Sequence, residues 1–215
     1  ANTMFKLAYQ SFIMLSVSSG YIIVKLISKF KKGLFTIGYL LVAGCLTFLV
    51  MVYPYFAINS YYGNLKTYSG LDGIKYLEKL YPNDYRAILW LNKNIKGQPV
   101  ILEAQGDSYT DYARISANTG LPTVVGWPVH EWLWRGTYDI PAPRITDVQT
   151  LYETDDLKIT KNLIKKYNIE FIFLGDLERQ KYTKLNENKF EELGTLIFQN
   201  GQTKIYQVNA GSVDK

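Results

Sequence analysis

The residues able to do chemistry crowd into one stretch, Glu103 to Gly136, EAQGDSYTDYARISANTGLPTVVGWPVHEWLWRG, which holds three of the four tryptophans, the one histidine and four glycines. Asp107, Tyr109, Arg114, Trp127, His130, Glu131, Trp134 and Arg135 form the candidate ligand-binding set. Glu103, Asp107 and Asp111 could take a cation or a hydroxylated ligand, and Tyr109 and Tyr112 could stack on a sugar face. Over a helical turn, Glu131 and Arg135 stand four apart and can pair, while Trp127, Trp132 and Trp134 offer wide apolar plates. His130 could serve as a general base, as a donor to an anionic ligand, or as a metal ligand. A metal would have to find its other ligands among carboxylates, which disfavours zinc. The bland alternatives are that Gly106, Asp107 and Ser108 only shape a turn, that His130 is hydrogen-bonded within the domain, and that the tryptophans belong to the core. No phosphate-loop glycine pattern, GxSxG elbow or HExxH pair is present.

These residues need a scaffold, and the surrounding pattern predicts an α/β one. Pro99 to Ala104, PVILEA, and Glu170 to Leu174, EFIFL, read as buried strands, so the stretch begins where a strand ends. A third strand is expected at Thr123 to Val125, between Pro122 and Gly126. Helices are expected over Leu71 to Leu80, from Pro82 to Gly97 with Asn83 and Asp84 capping, over Arg144 to Tyr152, and over Asp156 to Tyr167. GDLERQKY, after the second strand, is read as turning into a helix. Asn200 and Gly201 between apolar runs signal a closing hairpin, giving a mixed sheet.

The amino-terminal part is of another kind. Leu7 to Val24 carries no formal charge and reads as a membrane span of about residues 7 to 26; Leu34 to Ile58 is a second, more apolar span. Tyr53, Pro54, Tyr55 and Phe56 mark its far boundary. Lys25, Lys29, Lys31 and Lys32 lie between the spans with no acid before Asp72, so the positive-inside rule predicts a cytoplasmic loop and an extracytoplasmic α/β domain over 59–215. The cell membrane is the expected location, with lipid as a partner. The chain opens at Ala1 in mid-pattern and is expected to be the end of a longer protein whose upstream spans pack on these.

Net charge is +5, but five of the 24 basic residues precede Ile58, leaving 19 against 19 acidic ones beyond it. The α/β part therefore lacks the basic footprint that nucleic acid requires, and no nucleic-acid partner is expected. Cys45, the single cysteine, allows no internal disulfide.

LEAQGDSYTDYARISANTGLPTVVGWPVHEWLWRG, with NDYRAILWLN before it and FIFLGDLERQKY after it, resembles the carboxyl-terminal region of the YYY-type multi-span membrane proteins of bacteria and archaea; ANTMFKLAYQ resembles the start of one of their late spans. That family in turn resembles the C-type glycosyltransferases, multi-span enzymes that use polyprenyl-phosphate-linked sugars and carry an extracytoplasmic carboxyl-terminal α/β domain. The resemblance implies that the loops ending at Asp107 and at His130 to Arg135 cap a lipid-linked sugar site, with Arg114, Arg135 or His130 meeting phosphate and the aromatic rings meeting sugar. It assigns no catalytic residue: the catalytic acid of such enzymes lies in an early outer loop with no counterpart in this chain. No cofactor is expected within the chain, a divalent cation being one that the longer parent could hold. The alternative is a non-enzymatic membrane-anchored binding or assembly module.

Overall fold

A computed structural model describes residues 2–29, 33–66, 70–209 and 211, which fall into two compact units, Ala1–Leu71 and Asp72–Lys215. The first holds two long helices, α1 (Asn2–Lys29) and α2 (Leu34–Tyr61). At 28 residues, α2 runs to about 42 Å, more than the ~30 Å of a bilayer core. Both helices are long and apolar enough to cross a membrane, and no described residue of α2 is buried. Ser16, Ser28 and Thr47 donate their hydroxyls to carbonyls four residues back, so those polar groups are satisfied inside their own helix. Pro54 sits inside α2. Lys25 and Lys29 lie near the end of α1, whereas Lys31 and Lys32 of the basic loop, and most of the polar tail, lie outside the described residues.

The second unit comprises α3 (Lys75–Leu80), α4 (Pro82–Asn94), β1 (Val100–Leu102), α5 (Arg114–Thr119), α6 (Pro128–Arg135), α7 (Pro141–Glu153), α8 (Leu157–Tyr167), β2 (Ile169–Leu174), α9 (Asp176–Lys181), α10 (Asn188–Leu193), β3 (Gly194–Asn200) and β4 (Thr203–Val208). The strands form one mixed sheet in the order β1-β2-β4-β3, with β1 and β2 parallel and the other neighbours antiparallel. The expected hairpin forms, but its turn is Gly201-Gln202, with Gly201 at φ 55°; Asn200 is the last residue of β3 and pairs with Thr203. Strand alternation sorts the core into two layers. Leu102, Ile172, Leu174 and Tyr206 pack with Val148, Leu151 and Tyr152 of α7 and Phe190 of α10. On the other face, Ile101, Phe171, Phe173 and Ile205 pack with Leu77 of α3, Ile88 and Leu91 of α4 and Ile115 of α5. The expected α/β class with a mixed sheet is what the chain adopts.

Several local expectations need correction. Thr123 to Val125 is not a strand: it makes a single parallel bridge from Thr123 to Ile101, and Ile101 N–H donates to Pro122 O. Only Thr123 reaches the sheet edge, and Val124 and Val125 are buried as irregular chain. Asn83 and Asp84 do not cap α4. Pro82 occupies its first turn, where a missing N–H costs nothing. Asp84 turns inward instead, and α4 ends at Asn94, before Gly97. The helix expected from Leu71 begins only at Lys75, and Leu80 and Leu89 are exposed. Asp156, by contrast, caps α8 by accepting from Lys158 N–H and Ile159 N–H.

Asp84 belongs to a buried ion cluster at the carboxyl ends of β1 and β2. Arg114 Nε and Nη2 donate to Asp84 Oδ2 at 2.8 and 2.5 Å, and Nη2 donates to Glu178 Oε2 at 3.0 Å. Thr203 Oγ1 donates to Asp84 Oδ1, while Ala104 N–H and Gly175 N–H donate to Glu178. Burial alone would lower the Arg114 pKa, but the Glu178 and Asp84 charges outweigh it and raise it. Burial raises the Asp84 carboxyl, with Arg114 opposing. The cluster explains Gly175: a Cβ there would lie 2.6 Å from Asp84 Oδ1 and 2.8 Å from Arg114 Nη2. Gly175→Ala is expected to cost about 1–3 kcal/mol by overpacking, read as a shift of the urea midpoint in tryptophan emission.

Candidate functional site

The site is built at the carboxyl end of β1. Glu103, the next residue, is buried and accepts Ile115 N–H at 2.8 Å and Ser116 N–H at 3.0 Å, holding the first turn of α5. Burial pushes its carboxyl up to about 7, against the pull of those donors and of Arg114. The loop then runs through Gly106, where a Cβ would lie 2.0 Å from the Tyr112 ring. Tyr109 and Ala113 take left-handed backbone, φ 64° and 60°, a conformation that non-glycine residues hold only under constraint.

That strained turn brings Tyr109, 83% exposed, against the second half of the site. Its ring centroid lies 5.6 Å from Trp127 and 5.2 Å from His130, and Trp127 and His130 are 5.2 Å apart. Trp127 Nε1–H donates to Tyr112 O at 3.0 Å, tying the two loops together. From Trp127 the chain enters α6 through Pro128 and leaves it at Gly136, φ 79°, a left-handed stop. Arg135 Nε donates to Glu131 Oε2 at 2.5 Å across one turn, as the spacing predicts. An open cleft of about 580 Å³ lies between α5 and α6, lined by Ala113, Ser116 and Ala117 on one side and Trp127, His130, Glu131, Trp134 and Arg135 on the other.

Six of the eight expected residues therefore share one surface. The other two do not. Arg114 is buried under α5 and committed to Asp84 and Glu178, so it is corrected from ligand contact to structural ion-pair centre. Asp107 is exposed and is not among the residues lining the cleft; it lies close enough to Lys181 that its charge opposes the lowering of the Lys181 pKa by burial. Glu103 and Asp111 are likewise occupied: the first caps α5, and the second accepts from Tyr81 Oη at 3.0 Å. Among the described residues, no cluster of three His, Cys, Asp or Glu side chains could hold a metal ion.

Lys181 is a residue that the sequence pattern does not single out. Its Nζ donates to Gln105 O and lies 4.7 Å over the Tyr112 ring, so it ties both flanks of Gly106 to α9. In sequence it is one lysine on a short polar helix, and neither its type nor its spacing separates it from the other lysines.

Chemically the surface offers aromatic faces for the C–H side of a sugar ring, one imidazole, and a guanidinium paired on one side only by a carboxylate. No family model matches the chain, and no curated protein matches it. A solved structure that does match is the C-terminal globular domain of oligosaccharyltransferase from Archaeoglobus fulgidus, at 10% identity and a TM-score of 0.38, over 58% of this chain and 95% of that one. Those values describe a rough likeness of architecture, and no activity or residue role passes to this chain by it.

Proposed function

We propose that this chain is the carboxyl-terminal part of an integral membrane protein resembling the polyprenyl-phosphate-sugar-dependent glycosyltransferases, and that its α/β unit binds the sugar-phosphate end of such a lipid in the cleft between α5 and α6. The observation that carries the reading is the convergence of Tyr109, Trp127 and His130, with ring centroids 5.2–5.6 Å apart, beside the Glu131–Arg135 pair in an open cleft. The two long apolar helices support membrane anchoring, and the lysines between them support an extracytoplasmic position for the α/β unit. In this reading Trp127 and Tyr109 stack on the sugar, while His130 and Arg135 donate to phosphate and Glu131 orients Arg135. Asp107 stays beside the cleft with Lys181 as an acceptor contact. The catalytic acid, and any divalent cation, belong to upstream segments of the parent.

The test is titration of the full chain in detergent with a short-chain prenyl-phosphate hexose, followed by tryptophan emission. Wild type is expected to give a saturable change, and Trp127→Phe combined with His130→Ala and Arg135→Ala is expected to weaken binding at least about tenfold, the loss of roughly 1.4 kcal/mol that one such contact supplies. Equal binding by the variant would remove the cleft from the proposal. Saturable binding of free prenyl phosphate with no preference for the hexose form would leave a lipid-phosphate binding module, the non-enzymatic alternative.

A further inference from the structure

Helix α6 has two faces, and only one of them belongs to the cleft. His130, Glu131, Trp134 and Arg135 line the cleft, whereas Val129, Trp132 and Leu133, at spacings of three and four, form an apolar stripe on another side. In a helix packed on its own domain such a stripe faces the core. Here it faces solvent: Val129 is 42%, Trp132 43% and Leu133 64% exposed. Tyr138 and Ile140, 46% and 37% exposed, follow in the next loop, and the Trp132 and Tyr138 rings meet edge to face at 6.1 Å. Five large apolar side chains so close in sequence are not scattered surface residues but an uncovered face.

We propose that this face of α6, with Tyr138 and Ile140, docks into the headgroup boundary of a lipid bilayer. Two features choose lipid over another protein. Its composition, tryptophan and tyrosine set among Val, Leu and Ile, is that of the membrane–water boundary, where an apolar ring body and a polar ring edge are both satisfied. The chain also brings its own bilayer: α1 and α2 are of spanning length, and only 13 residues separate Tyr61 at the end of α2 from Lys75 at the start of α3. That connector reaches at most about 50 Å, which holds the α/β unit at high local concentration over any membrane that the helices cross. A short face too small to hold a free protein to lipid suffices under such a tether. The docking surface is separate from the cleft and does not depend on what the cleft binds; it does depend on anchoring by α1 and α2.

The four tryptophans all lie beyond residue 89, outside both long helices, so their emission reports the α/β unit alone. The full chain is reconstituted into phosphatidylcholine vesicles whose acyl chains are brominated near the headgroup, with unbrominated vesicles as reference. The shallow bromines are expected to quench about a quarter of the emission or more, the share of Trp132 among four. Val129→Asp with Leu133→Asp, at two exposed positions where folding is undisturbed, is expected to abolish that quenching while the chain still floats with the vesicles. Absence of quenching in wild type, quenching unchanged in the double variant, or failure of wild type to float would each overturn the proposal. So would unquenched emission accompanied by a cross-linked dimer that the double variant loses, which would assign the face to a second copy.

Discussion

Arg114→Ala should be among the most destabilising single substitutions available in the α/β unit, costing about 3–5 kcal/mol. Removal of the guanidinium strands Asp84 and Glu178, both fully buried, as like charges facing one another without a cation. The guanidinium donates to Asp84 through two nitrogens while also reaching Glu178, a geometry that an ammonium cannot copy, so Arg114→Lys should recover only part of the loss. A total stability of about 5–15 kcal/mol puts Arg114→Ala near the unfolding threshold. A rescue variant keeps the prediction testable. Arg114→Met with Asp84→Asn and Glu178→Gln removes all three charges and should be clearly more stable than Arg114→Ala alone. Urea unfolding followed by tryptophan emission reads the α/β unit selectively. Equal midpoints for Arg114→Ala and wild type would mean that the cluster contributes no net stability.

The same cluster shows where the sequence stops being legible. Arg114 sits in a stretch of tyrosines, glycines and acids that reads as a ligand surface, and nothing local marks it as buried. Its partners are 30 and 64 residues away, on α4 and α9, and pairing across such distances leaves no trace in periodicity or capping. Asp84 reads as a cap for the same reason, since a short acid after a proline at a helix start has that local use, and its pairing with Arg114 and Thr203 is long-range. Features that repeat over many residues or rest on adjacent ones came through. The charge-free runs of α1 and α2, the EFIFL strand, the β3–β4 hairpin and the Glu131–Arg135 pair are all decided within a few residues of themselves. Thr123 to Val125 fell between these cases. A three-residue apolar run looks the same whether it pairs as a strand or fills a core as irregular chain, and its neighbours Pro122 and Gly126 settle it for the second. Of the site, the α6 half and the identity of Tyr109 are legible, and the left-handed turn that carries Tyr109 to Trp127 and His130 is not. Tyrosine is not a residue whose presence announces positive φ.

Stability should also fall as pH rises from about 4.5 to about 7, through Glu103. Its carboxyl stands at 4.5 in the unfolded chain and is pushed up to about 7 by burial in the folded one. Below that window it is protonated in both states, and above it the carboxyl is ionised in both; within it the folded chain alone keeps the proton. The folded state therefore binds more protons there, and acid stabilises it, to a limit of about 3 kcal/mol. Lys189 acts in a different window. Burial lowers its ammonium to about 8, so its effect, a gain in stability with rising pH, begins only near there. Asp84, also raised, has the same sign as Glu103 and must be separated from it. Glu103→Gln does so. The amide can accept only one of the two N–H groups that Glu103 accepts from Ile115 and Ser116, a cost of about 1–3 kcal/mol that does not vary with pH. Its urea midpoint should be flat from pH 5 to 7.5, lying below wild type at the acid end and converging with it or passing it at the upper end. A slope that survives in Glu103→Gln would transfer the effect to Asp84. Because Glu103 holds the first turn of α5, and α5 forms one wall of the cleft, ionisation of this one buried carboxyl bears on the cleft wall as well as on the fold.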